Sequence, residues 1–312
     1  MTDLERYILE EWREDYQAGR LPRREFLRRV AVFSGGTALA ATVLAQLGIV
    51  FTPGELAEAA AAPSPAGPAA PGVTVPPTDP AITVRTVSFP SGTVTVLGYL
   101  ALPRAGTPAP GVVVVHENRG LVEHIKDVAR RLAKAGYVAL APDLASAEGG
   151  TERYTDPAQV TAILGRTPPD QLVAMLNAAV RHLQGLPEVR RDRIGAIGFC
   201  FGGGMVWRLI TQNPDVRAAA PFYGPAPDLE AVPRIRAAVL AIYGERDERI
   251  NAGIPALRER LQRANVVHEI VIYPNADHAF FNDTGPRYNA EAARDAWSRV
   301  LVWFERYLKA GG

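Results

Sequence analysis

The sequence of 312 residues holds one cysteine and five histidines, and its formal net charge is only +1. A lone cysteine excludes an intramolecular disulfide, so the fold has to stand on its core. With so few histidines, and none in a close His/Cys cluster, neither a structural nor a catalytic zinc site is expected, and no other cofactor is. Near-neutrality removes the basic field that nucleic acid needs and the acidic field that gathers cations. No internal repeat is visible. What is present is 47% hydrophobic and 21% charged residues, enough for one large α/β domain with an appendage.

The appendage is read at the start of the chain. Met1 to Asp15 holds two Arg against six Asp/Glu, whereas Arg20 to Arg29 holds five Arg against one Glu. No charged residue follows from Val30 to Phe51. The stretch Leu21-Pro22-Arg23-Arg24-Glu25-Phe26-Leu27-Arg28-Arg29 resembles a twin-arginine export signal, which implies transient engagement of the twin-arginine export machinery and work in the periplasm or elsewhere outside the cytoplasm. Ser34, Gly35, Gly36, Thr37, Thr42, Gln46 and Gly48 dilute the apolar run, which suits a cleavable or loosely held segment, with an uncleaved membrane anchor as the variant. The alternative is an amphipathic tail helix followed by a surface helix of the domain. Residues 53–81 carry eight prolines among many alanines and read as a stiff, extended spacer. The division expected is therefore 1–52 signal or anchor, 53–81 linker, 82–312 folded domain.

Within the domain, Val84 to Phe89 and Val94 to Leu102 are β-rich and separated by Pro90-Ser91-Gly92-Thr93, which predicts a hairpin. The grammar then changes. Val112 to Val115 is apolar at every position, as a strand covered on both faces should be. A helix near Val122 to Ala135, a strand at Tyr137 to Ala141, a polar loop at Ala145 to Arg153 and a helix from Pro168 follow. Strands at Ala218 to Pro221, Ala238 to Tyr243 and Glu269 to Tyr273 come next, and the last helix spans Ala290 to Leu308 with Gly311 beyond it. Alternating strands and helices predict an α/β fold, a mainly parallel, doubly wound sheet with helices on both faces.

In such a sheet ligands gather beyond the C-terminal strand ends. The stretch Gly198-Phe199-Cys200-Phe201-Gly202 has the form of a nucleophile elbow with sulfur in place of hydroxyl. The helix behind it aims free N–H groups at the thiol. Further strand ends carry Glu117, Asp247 and His278. The order nucleophile, acid, histidine is that of an α/β-hydrolase triad, so Cys200, Asp247 and His278 are the expected catalytic residues. Glu245 or Glu248 could replace Asp247 by a small register error, whereas Asp277 adjoins His278 and is poorly placed to orient its ring. His116, His124, His182 and His268 read as structural or surface residues, with His116 alone near a strand end.

Five stretches then carry a resemblance: Val113 to Leu121, Ala141 to Leu144, Gly198 to Gly203, Tyr223-Gly224 and His278 to Asp283. They resemble the dienelactone hydrolase (carboxymethylenebutenolidase) family over roughly Ile82 to Leu308. The resemblance implies an α/β-hydrolase fold and hydrolysis of an ester or lactone through an acyl-thioester. It implies that Glu117 holds the resting thiol and that the backbone N–H groups of Asn118 and Phe201 form the oxyanion hole. Arg119, Tyr223, Phe280 and Asn282 become candidates for the substrate pocket.

The chain also departs from the family. The arginines that clamp the dienelactone carboxylate are absent from Ala145 to Glu148 and from Asn282, leaving Arg119, Arg153 and Arg287 as substitutes. No long insertion separates Tyr223 from Ala238, so a fairly open pocket for a small or mid-sized ester or lactone is expected. Acyl transfer or thioester cleavage by the same residues is the rival reading, and a binding protein that has lost turnover is the rival outside catalysis.

Overall fold

The computed structural model describes residues 1–63, 74–104 and 108–309. Eight strands form one sheet in the order β1-β2-β4-β3-β5-β6-β7-β8. The hairpin pairs β1 (Ile82–Ser91) with β2 (Val94–Pro103), register Ile82 to Pro103 through Ser91 to Val94. Strand β2 also runs antiparallel to β4 (Val138–Pro142). Every other pairing, through β3 (Ala109–Val115), β5 (Val189–Phe199), β6 (Val216–Phe222), β7 (Ala238–Gly244) and β8 (His268–Tyr273), is parallel.

The reason is visible in the side chains. Strands β3, β4 and β7 are buried at every position, so helices must cover both faces, and covered parallel neighbours need helical crossovers. Those crossovers include α5 (Glu123–Lys134), α7 (Pro169–Gln184), α8 (Phe201–Gln212) and α10 (Ile254–Arg263), and α11 (Ala290–Phe304) closes the chain's last layer. Three helices of this body were not predicted. Helix α6 (Pro157–Arg166), whose N-terminus Asp156 caps by accepting from Ala158 N, stands in the loop region before α7, and α10 lies between β7 and β8 beside the short α9 (Glu248–Asn251). The expected position of Gly311 lies outside the described residues.

Residues 1–60 are folded against this body as four helices, α1 (Asp3–Gln17), α2 (Arg23–Ser34), α3 (Thr37–Gln46) and α4 (Pro53–Ala60). Their apolar faces are buried, with Ile8, Leu9, Trp12, Phe26, Leu27 and Val30 all in the core. Trp12 meets Phe33 edge-on at 5.6 Å, and a Cβ on Gly165 of α6 would lie 2.8 Å from Phe33, so that glycine makes the room into which α2 fits. Arg28 is buried in ion pairs with Glu25 and Asp156. Among the described residues no single helix is long and apolar enough to cross a membrane; α2 and α3 together pass by length and composition but are bent by 114°. The start of the expected extended spacer is instead α4, where the Thr52 hydroxyl accepts from Glu55 N and the Glu55 carboxylate accepts from Thr52 N, a reciprocal cap that composition alone hid. Residues 64–73 of that spacer lie outside the described residues.

Candidate active site

The turn from β5 into α8 is built by glycine. Cys200 sits between them at φ 58° and ψ −120°, a conformation with positive φ that costs a side-chain-bearing residue energy and is held here by its surroundings. A Cβ on Gly198 would lie 2.3 Å from Gly202 O, and one on Gly202 would lie 2.4 Å from Val115 O. Both contacts are with backbone, so neither position admits another residue without moving the turn. The close approach of Gly202 to β3 also sets Cys200 beside the residues that follow that strand, Glu117 and Asn118. Phe201, as the first residue of α8, has a backbone N–H without an acceptor in its own helix.

The imidazole and its acid come from two further strand ends. His278 Nδ1 lies 2.5 Å from Asp247 Oδ2, and both side chains are buried. Among the described residues His278 Nε2 has no hydrogen-bond partner, and it lies within 4.8 Å of Cys200 Sγ. Burial works against charging His278, but the Asp247 carboxylate and the negative charge of a Cys200 thiolate outweigh it, so an imidazole that has taken the thiol proton is held well above its usual range. Burial pushes the Cys200 thiol up, and Glu11 pushes it further, against the pull of His278.

Glu11 is the residue that sequence reasoning missed. Its Oε2 accepts from Cys200 Sγ at 3.5 Å and from Asn118 Nδ2 at 3.2 Å, and its Oε1 lies 4.0 Å from His278 Nε2. The Tyr7 hydroxyl lies 3.4 Å from the same sulfur. Glu117, expected against the thiol, faces Asn282 instead: Asn282 Nδ2 donates to its Oε2 at 2.6 Å, and its Oε1 is buried without a partner. In this conformation the carboxylate in contact with sulfur is therefore supplied by α1. The available signal was the acidic face of α1, Glu11, Glu14 and Asp15, at spacings of three and four. Glu11, Cys200 and His278 also bring an oxygen, a sulfur and a nitrogen within 4.8 Å of one another, a spacing that a metal ion could bridge.

The remaining candidates divide. Tyr223, at φ 35°, is buried with its ring 5.0 Å from that of His278, and Phe280 packs 5.7 Å from Tyr223. Asn282 reaches the site through Glu117, whereas Arg119 is exposed. Of the substitute arginines, Arg153 is exposed and bonds Glu148 O, while Arg287 is half-buried and feels the charges of Asp15, Glu11, Cys200 and Glu117. His116 is structural: Leu144 N donates to its Nε2 at 3.0 Å, so Nδ1 carries the proton and donates to Glu117 O, shaping the turn after β3. His124 pairs with Asp283 and His182 stacks on Phe89.

The pocket is not open. Cys200 is 3%, Asp247 5% and His278 7% exposed. The covering is done by α1, through Glu11 and Tyr7, from a part of the chain that the sequence reading placed outside the domain.

The sequence profile described as the Dienelactone hydrolase family matches residues 96–308. A protein of Methylorubrum extorquens provisionally named as a carboxymethylenebutenolidase is 38% identical over 221 residues, covering 67% of this chain and 76% of its own length. A similarly named protein of Escherichia coli is 35% identical over 73% of this chain and 89% of its own. Among solved structures, one from Klebsiella pneumoniae, provisionally described as a dienelactone hydrolase, superposes with a TM-score of 0.66 at 35% identity, over 73% of this chain and all of its own. A dienelactone hydrolase-like promiscuous phosphotriesterase from metagenomic libraries superposes at 0.65 with 27% identity, over 73% of this chain and 99% of its own.

Proposed function

Because the chain belongs to the dienelactone hydrolase family, hydrolases of ester and lactone bonds on the α/β-hydrolase fold, we propose that Cys200, His278 and Asp247 are its catalytic triad. The observation that carries the reading is the convergence of the three: Asp247 holds Nδ1 of His278 at 2.5 Å while Nε2 is left free within 4.8 Å of a thiol on a strained elbow.

Each step follows from that placement. His278 Nε2 takes the thiol proton, and the thiolate adds to the carbonyl carbon of an ester or lactone. Negative charge then develops on the carbonyl oxygen, where the backbone N–H groups of Phe201 and Asn118 receive it, each donor worth about 3 kcal/mol in the transition state. Collapse breaks the C–O bond, the alkoxide leaves with the proton from His278, and an acyl-thioester remains on Cys200. Water, losing a proton to His278, attacks the thioester and releases the acid. Asp247 keeps the imidazole in the tautomer with Nε2 free to accept and steadies the imidazolium between steps. Tyr223 and Phe280 form the apolar wall beside His278, which favours small or mid-sized substrates.

Intact-mass measurement of the full chain after prolonged exposure to p-nitrophenyl acetate tests this. The expected result is one acetyl group on wild type and none on Cys200→Ala, with nitrophenol released in step. Acylation that survives Cys200→Ala would refute the assignment, and partition of the acyl group to an added alcohol or thiol in preference to water would favour acyl transfer.

We further propose that residues 1–52 serve as an export signal or anchor read by the twin-arginine machinery, so that the hydrolase domain, 82–312, works outside the cytoplasm. The basic stretch Arg20 to Arg29 ahead of the uncharged run supports it. Because Arg28 is buried against Glu25 and Asp156, α2 must first leave the body to be read. The N-terminus of the mature protein, determined by mass spectrometry from its native cells, tests this: a chain that retains Met1 and is recovered only from the cytoplasm would refute it.

A further inference from the structure

We propose that α1 is an intramolecular inhibitor seated in the substrate position, with the Glu11 carboxylate standing where the acyl group of a substrate or its acid product lies, so that hydrolysis requires α1 to leave. The proposal rests on Cys200 being the nucleophile.

The contacts are those that a bound acid would make. One oxygen of the Glu11 carboxylate meets Cys200 Sγ at 3.5 Å and Asn118 Nδ2 at 3.2 Å, and the other lies 4.0 Å from the free Nε2 of His278. A trigonal carbon bearing two oxygens therefore sits between the nucleophile, the base and the loop assigned to the oxyanion hole. A carboxylate anion there is an inhibitor and not a substrate, because it repels a thiolate and offers no leaving group. Tyr7, one turn earlier on the same face, also covers the sulfur, its hydroxyl 3.4 Å away.

The helix is also fastened by charge to the rim of the site. Arg249 pairs with Glu14 at 3.0 Å and lies over the Tyr7 ring at 4.8 Å, while Arg287 pairs with Asp15 at 3.1 Å. Glu11, Glu14 and Asp15 thus present three acids to the thiol and to the two arginines beside it. The exposures of Cys200, Asp247 and His278 leave no path by which a substrate carbon could approach sulfur to the ~3–3.5 Å that attack requires while α1 remains.

Displacement is structurally open to it. α1 contributes no strand to the eight-stranded sheet. Along one side its seam with the body is a groove of about 320 Å³, lined by Asp3, Arg6, Tyr7 and Glu10 on the helix and by Pro225 and Arg249 opposite. Because α1 runs directly into the Leu21 to Arg29 stretch, any process that draws out or removes that stretch takes the inhibitor with it.

The test uses the full chain, wild type and the double variant Glu14→Lys/Asp15→Lys, which turns two attractions to Arg249 and Arg287 into repulsions. Two rates are read: alkylation of Cys200, the chain's single cysteine, by iodoacetamide, and kcat/KM for p-nitrophenyl acetate. Both are expected to rise at least tenfold. Tyr7→Ala, which uncovers the sulfur without altering charge, is expected to move both in the same direction and decides the matter if the double variant does not fold. Alkylation that rises while ester turnover falls would overturn the proposal, because α1 would then be a working wall of the site. Unchanged rates in both variants would also overturn it. Alkylation that rises with no ester turnover in any variant would uphold the occlusion and refute the hydrolase assignment of Cys200.

Discussion

Glu11 accepts a hydrogen bond from Cys200 across 189 residues of sequence, and it is the buried carboxylate in contact with the chain's single thiol. An anion beside a thiol opposes its ionisation, and here it adds to burial in the same direction. Glu11→Gln keeps the size and an acceptor oxygen but removes the charge. The thiol should then ionise at lower pH, so the curve of iodoacetamide alkylation rate against pH is expected to shift toward acid. A curve that stays put, or shifts toward base, would show that the carboxylate does not govern this thiol.

Asp247 acts on the other half of the pair. Its carboxylate raises His278 against the lowering effect of burial, so Asp247→Asn should drop the imidazole titration, read by NMR of its ring protons, to lower pH. The same change removes the partner that fixes the tautomer, and loss of ester turnover of about 10⁴-fold is expected with the fold intact. A His278 titration that does not move would mean that the 2.5 Å contact is not an electrostatic pair in solution.

The elbow allows a sharper stability test. Gly202→Ala places a methyl 2.4 Å from Val115 O and 2.5 Å from His116 O, atoms that belong to a strand end and cannot step aside. Destabilisation of about 3 kcal/mol or more is expected in chemical denaturation, at the upper end for overpacking. Gly54→Ala in α4, where nothing lies within 4 Å, is the control and should be neutral or stabilising by up to about 1 kcal/mol. Equal effects at the two positions would contradict the packing described for the turn.

These variants also mark what the sequence made legible. The elbow announced itself because close backbone approach demands glycine, and the sheet because buried parallel strands are apolar at every position, as in Val112 to Val115. Tertiary contacts between distant segments had no such local signature. The docking of α1 depends on Glu14 meeting Arg249 and Asp15 meeting Arg287, pairs more than 230 residues apart, whereas the composition of the first 52 residues matches an export signal whether or not they dock. Helices α6 and α10 were missed for a related reason: each is only ten residues long, so the apolar face shows few repeats of the helical period.

Arg28 separates docking of the first helices from stability of the body. Its guanidinium is buried between Glu25, on its own helix, and Asp156, the cap of α6, and burial without those partners would be costly. Arg28→Ala removes the buried cation that joins Glu25 to Asp156 and leaves Glu25 to its second partner, Arg29, so the α2–α6 contact loses its bridging charge at a cost of about 3 kcal/mol, the lower end for a buried pair broken on one side. That cost falls on the contact between the segments, because no strand of the sheet includes either partner. Limited proteolysis should therefore cut between Ala18 and Pro22 faster in the variant. Because α1 leaves with α2, alkylation of Cys200 should accelerate in parallel, while the main unfolding transition of the body stays near its wild-type midpoint. Loss of that transition together with the N-terminal contacts would mean that the four helices and the eight-stranded sheet fold as one cooperative unit, and that α1 is not released by events at α2.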